Sequence, residues 1–97
     1  MQSFCDEIRK LGRGIENAAR YRMLEALMRG PRSVSQLIRV AKLSQPAVSQ
    51  HLKTLKACSL VADEKRGIEV FYSLNTEYLL QMLARFAENI KKCRRRR

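Results

Sequence analysis

Apolar residues recur along this chain at two periods, and the architecture should change where the period does. Phe4, Ile8, Leu11 and Ile15 stand four, three and four residues apart, which is one stripe of a helix. Gly12 and Gly14 interrupt its end and predict a bend or a break there. Asn17 suits the cap of a second helix, with Tyr21, Leu24, Leu27 and Met28 as its apolar face and Gly30-Pro31 as its close. Ser33 can cap a short third helix whose Val34, Leu37, Ile38 and Ala41 face inward. Lys42-Leu43 is a brief connection, and Ser44 caps a fourth helix. Pro46 falls in its first turn, where a missing N–H costs nothing.

After Cys58 the pattern turns β-branched and aromatic. Leu60-Val61-Ala62 and Glu69 to Leu74 read as strands. The charged run Asp63 to Gly67 between them ends in glycine, as a hairpin tip would. Asn75 or Thr76 can cap a last helix with the stripe Leu79, Leu83, Phe86, Ile90 and Cys93. The expected order is α-α-α-α-β-β-α, mostly helical with a small β-hairpin. A short helix, a tight connection and a second amphipathic helix make a helix-turn-helix over residues 33–57, and the hairpin at 60–74 makes a wing. The terminal helices, 1–14 and 76–92, carry stripes that suit a helical dimer seam. The expectation is a single winged-helix domain over 1–92, followed by a basic tail at 93–97.

Charge sharpens this picture. The net charge of the 97 residues is +11. Lys91, Lys92 and Arg94 to Arg97 supply six of these charges, so the rest of the chain still stands at +5. Such a balance points to a polyanionic partner, most simply nucleic acid bound through its phosphates. There is no tryptophan and aromatics make up 6%, too few for a stacking platform for single strands. No Cys/His or Ser/His/Asp constellation and no glycine-rich phosphate loop is present, so an enzyme is not expected. No apolar stretch approaches a membrane span, and the N-terminus lacks a signal core. Cys5, Cys58 and Cys93 are odd in number and widely spaced, which is neither a disulfide framework nor a zinc ribbon; a reducing cytoplasm is the expected setting.

Within the helix-turn-helix the second helix enters the major groove with its N-terminal residues on base edges. Gln can pair with adenine, and Ser can donate or accept to several bases. Gln45, Ser49 and Gln50 are therefore the candidates for base readout. Ser44, His51, Lys53, Lys65 and Arg66 are the candidates for positioning on phosphates or in the minor groove.

The string Leu43-Ser44-Gln45-Pro46-Ala47-Val48-Ser49-Gln50-His51-Leu52-Lys53-Thr54-Leu55 resembles the recognition helix of the ArsR/SmtB family of winged-helix repressors. Asn17 to Leu24 resembles the opening of that family's second helix, with Ala18 where proline is usual, and Leu60-Val61 with Gly67 to Leu74 resembles its wing. The resemblance implies a homodimeric repressor built on its first and last helices, reading an imperfect inverted repeat in double-stranded operator DNA. Many members sense metals through a C-V-C pair; here those positions read Ser33-Val34-Ser35, and hydroxyls are poor ligands for thiophilic metals. The last helix has no histidine, and the chain has one in all, His51. No metal site and no cofactor is expected, and no pattern in the chain specifies an effector.

Two other readings stand beside this expectation. A non-specific architectural DNA-binding protein would share the charge, and a protein-interaction module would share the fold. Cys5 and Cys93, on the two terminal helices, suit either a thiol pair that responds to oxidants at a subunit interface or two small hydrophobes.

Overall fold

A computed structural model describes residues 3–95. The elements are α1 (Phe4–Ile15), α2 (Ala18–Met28), β1 (Arg32–Ser33), α3 (Val34–Ala41), α4 (Gln45–Ala57), β2 (Val61–Arg66), β3 (Glu69–Leu74) and α5 (Thr76–Arg95). The winged helix-turn-helix order stands, with one addition. The two residues of β1 pair antiparallel with β3, so the sheet is β1-β3-β2. Two residues carry no strand pattern of their own, and only the long-range pairing of Arg32 with Tyr72 and Ser33 with Phe71 reveals them.

Side-chain caps set four of the helix starts, beginning with Ser3, whose Oγ accepts from the Asp6 amide at 3.2 Å. Asn17 Oδ1 accepts from the Ala19 and Arg20 amides. Ser33 and Gln36 form a reciprocal capping box. Ser44 Oγ accepts from the Ala47 amide at 3.4 Å, and Pro46 sits in the first turn of α4. Asn75, expected to cap α5, acts elsewhere: its Nδ2 donates to the Ser59 carbonyl at 2.9 Å. Thr76 does not cap α5 either, because its hydroxyl donates back to the Leu74 carbonyl.

The core joins Met23, Leu24 and Leu27 of α2, Leu37 and Ala41 of α3, Val48, Leu52 and Leu55 of α4, and Leu60 and Val61 at the root of the wing. Four expectations are corrected here. The first concerns the glycines, which do not break α1; the helix runs through both to Ile15. Gly14 is buried, and a Cβ there would collide with Cδ1 of Leu60, so this glycine lets α1 lie close against the core. The second concerns α2, where Met23 faces the core while Tyr21 and Met28 are exposed. The third concerns the hairpin: β2 continues through the charged run to Arg66, which pairs with Glu69, and the loop is only Gly67-Ile68. Gly67 takes the left-handed conformation (φ 64°) at the first loop position, where a two-residue hairpin favours glycine. The fourth concerns α5, which is helical through Arg95, past the expected boundary at 92. Residues 1–2 of the first expected segment and Arg96 and Arg97 of the expected tail lie outside the described residues.

Candidate nucleic-acid interface

The helix-turn-helix corner is fixed by backbone contacts. Lys42 closes α3 in the left-handed conformation (φ 56°), its amide bonded to the Ile38 carbonyl. Arg22 of α2 donates to the Ala41 carbonyl at 3.3 Å, tying α2 to the same corner. At 100° per residue, the buried Val48, Leu52 and Leu55 define one side of α4, which leaves a broad polar arc outside. Gln50 and Lys53 stand at the centre of that arc and are exposed. Gln45 and Ser49, one turn apart and exposed, lie on the flank nearer the wing. They line a cleft of about 300 Å³ with Val34, Ile38, Ile68 and Val70.

His51 lies on the other flank, half-buried near Arg20 of α2. Burial, then the Arg20 charge, hold its imidazole below the ordinary histidine value of 6.5, so it is neutral at neutral pH. Arg20 is itself committed: Nε and Nη2 donate to the Gly14 and Arg13 carbonyls at 3.2 and 2.8 Å, closing the end of α1. His51 thus lies on the opposite flank of α4 from Gln45 and Ser49. Ser44 is exposed at the start of α4 with its hydroxyl engaged as the cap.

The wing is pinned to α4 at two points. One is the Leu60 amide at the root of the wing, which donates to the Leu55 carbonyl of α4 at 3.0 Å, while Asn75 closes the base of the hairpin through the Ser59 and Leu60 carbonyls at 2.9 Å. The other is the ion pair Lys56–Asp63 at 2.9 Å between α4 and β2. The mutual hydrogen bond raises the Lys56 pKa and lowers that of Asp63, so both stay ionised. Sequence reading misses the Lys56–Asp63 pair, since neither residue stands out until β2 is placed beside α4. Lys65 and Arg66 are consecutive in β2 and therefore point to opposite faces of the ribbon. The Arg66 guanidinium sits 4.7 Å from the centre of the Phe71 ring and 3.4 Å from Glu64. Lys65 shares its face with Asp63 and so with α4.

The Ser33 hydroxyl, at the first of the positions where metal-sensing proteins carry cysteines, is buried and engaged in its capping box. Cys5 and Cys93 are exposed and free. Within one chain they are not brought together. α1 runs antiparallel to α5, with Phe4 against Phe86 and Glu7 paired to Arg85 at 2.9 Å. Cys93 then lies about 10 Å further along α5 than Phe86, beyond disulfide reach of Cys5. No helix of the described residues is long and apolar enough to cross a membrane.

Comparison with known proteins agrees with this geometry. The model of the bacterial regulatory protein, arsR family, matches residues 17–63. A transcriptional regulator of the helix-turn-helix type from Mycobacterium tuberculosis is 41% identical over 61 residues, covering 63% of this chain and 57% of that one. The transcriptional repressor SdpR from Bacillus subtilis is 30% identical over 67 residues, 69% of this chain and 74% of that one. An ArsR-like transcriptional regulator from Rhodococcus superimposes with a TM-score of 0.84 at 27% identity, over 93% of this chain and 85% of that one. The chain spans about three-fifths of the length of the first curated relatives it matches.

Proposed function

The chain belongs to the ArsR family of bacterial regulatory proteins, and on that premise we propose that it is a homodimeric, site-specific DNA-binding repressor that blocks a promoter by occupying an inverted repeat. One observation carries the reading. The outer arc of α4 presents Gln45, Ser49, Gln50 and Lys53 exposed, beside a wing fixed to the same helix by the Lys56–Asp63 ion pair and by the Leu60 amide on the Leu55 carbonyl. A rigid pairing of reading helix and wing holds base-contacting side chains in register. The amide and hydroxyl groups of Gln45, Ser49 and Gln50 on that arc favour readout over the uniform positive charge of an architectural protein.

The dimer is supported by the opposite face. Leu11, Ile15, Tyr21, Met28, Leu80 and Leu83 surround an apolar groove of about 390 Å³ between α1, α2 and α5. A second copy covering it would bring two α4 helices into two-fold relation, reading half-sites roughly 10–10.5 bp apart or a multiple of that. A thiol response through Cys5 and Cys93 requires the two to meet across the dimer, because within one chain they stand apart. Operator affinity before and after mild oxidation, in the wild type and in Cys93→Ser, decides it; equal affinity throughout excludes the response. The metal positions of the family are filled here by hydroxyls, one of them the buried cap Ser33, and the repressor is proposed to act without zinc, cadmium or arsenite at those sites.

The test is a selection of reduced protein against a random duplex library at near-physiological salt. An enriched inverted repeat is the expected result. Strong retention without a common sequence would favour the architectural reading. Little retained DNA would favour a protein partner.

A further inference from the structure

Ile68 stands out from the rest of the surface. It is 100% exposed, whereas the next most exposed large apolar residue among those described is Leu80 at 62%, in the apolar face assigned to the dimer. Ile68 is the second residue of a two-residue loop, and the turn asks for nothing apolar or β-branched there; Asn, Asp and Ser serve such turns better. Its neighbours are charged. Lys65 and Arg66 lie on opposite faces of the ribbon behind it, and Glu69 is paired in register with Arg66. Arg66 is held by the Phe71 ring and Glu64, so it is fixed relative to the tip. Ile68 also lines the same cleft as Gln45 and Ser49, which places the tip alongside the reading flank of α4.

We propose that Ile68 is an apolar wedge that enters the minor groove beside the major-groove segment read by α4, and that it selects a deformable base step there. The inference rests on the DNA reading given above. Edge-on, the two-residue tip is slim enough for a groove about 6 Å wide. One cation on each face of the ribbon then meets each of the two phosphate walls. Apolar side chains that enter this groove partly unstack a base step, and pyrimidine–purine steps such as TA and CA/TG yield most cheaply. The sequence preference so generated lies outside the positions read by Gln45, Ser49 and Gln50, at a fixed offset on the wing side of each half-site.

The test repeats the duplex selection with the full chain and with Ile68→Ser, whose fold is checked by circular dichroism. The wild-type pool should carry a core repeat and a flanking preference for flexible steps. Ile68→Ser should keep the core, lose the flank, and bind the best wild-type duplex roughly ten-fold more weakly. 2-Aminopurine at the flanking step should brighten on binding the wild type and not the variant. Identical flanks and affinities within two-fold would overturn the inference while leaving the repressor reading intact. A wild-type pool without any core would remove both.

Discussion

α4 and α5 are both amphipathic, and they treat their apolar sides in opposite ways. Val48, Leu52 and Leu55 of α4 are buried completely within the chain, and what remains outside is polar. α5 buries Met82 and half-buries Leu79, then leaves Leu83, Phe86 and Ile90 about half exposed. From Leu83 to Arg94 every residue is exposed, and the molecule extends 54 Å along one axis and only 26 and 24 Å along the others. An apolar stripe kept out of its own core is costly in water unless something covers it. The two helices therefore face different partners in the proposed account: α4 turns its polar arc to DNA, and α5 turns its apolar stripe to a second copy.

Stability mutants should break this comparison most visibly. Leu55→Ala deletes a buried side chain and should cost about 2–5 kcal/mol in denaturant unfolding. Ile90→Ala should change the stability of the separate chain by less than about 0.5 kcal/mol, and act on association instead. Equal losses in the dissociated chain would mean that α5 is part of the folding core after all.

The next effect is on recognition. Gln45→Ala should cost about 1–3 kcal/mol of specific binding and relax preference at one position per half-site. Equal weakening on operator and random duplex would remove Gln45 from the reading surface.

Truncation after Cys93, which removes Arg94 to Arg97, tests the far end of α5. Binding should weaken on all sequences and the salt slope should flatten, by about 0.9 for each phosphate that the arginines neutralise. The preferred site should not change in a repeated selection.

The smallest effect is the pH dependence of α4. His51 is held below its ordinary value of 6.5 in the fold, so the folded state takes up its proton less readily than the unfolded chain. Its contribution to stability is complete above that value and is lost as pH falls through the lowered folded value. Thermal scans from pH 7.5 downward should show this loss in the wild type and not in His51→Gln. The same loss in both proteins would move its origin elsewhere.

The residues differ in how openly they show these roles. Asn17, Ser33 and Ser44 announce their helices because a cap is a local event, satisfied within three residues. The inner face of α2 is harder to read. Met23 packs in the core while Tyr21 and Met28 border the groove, so one helix serves two apolar surfaces and a single stripe does not describe it. Gly14 resembles a helix breaker because its reason, the Leu60 side chain, lies far along the chain. The same holds for the site. That residues 43–55 carry a polar outer arc is legible from spacing alone. That Gln45 and Ser49 lean toward the wing while His51 leans toward Arg20 depends on where β2 and α2 pack. Ile68 shows itself only when the loop is seen to be two residues long.

The measurement that bears most directly on the central claim is sedimentation equilibrium of the reduced wild-type chain and of Ile90→Glu, alone and on a duplex carrying the selected repeat. The wild type should sediment at twice the chain mass and place two chains on each duplex. Ile90→Glu should stay folded, sediment as a single chain, and lose tight binding to the full repeat. A wild-type chain that remains single at micromolar concentration, or a variant that still pairs and binds as before, would contradict the assignment of the α5 face to a second copy.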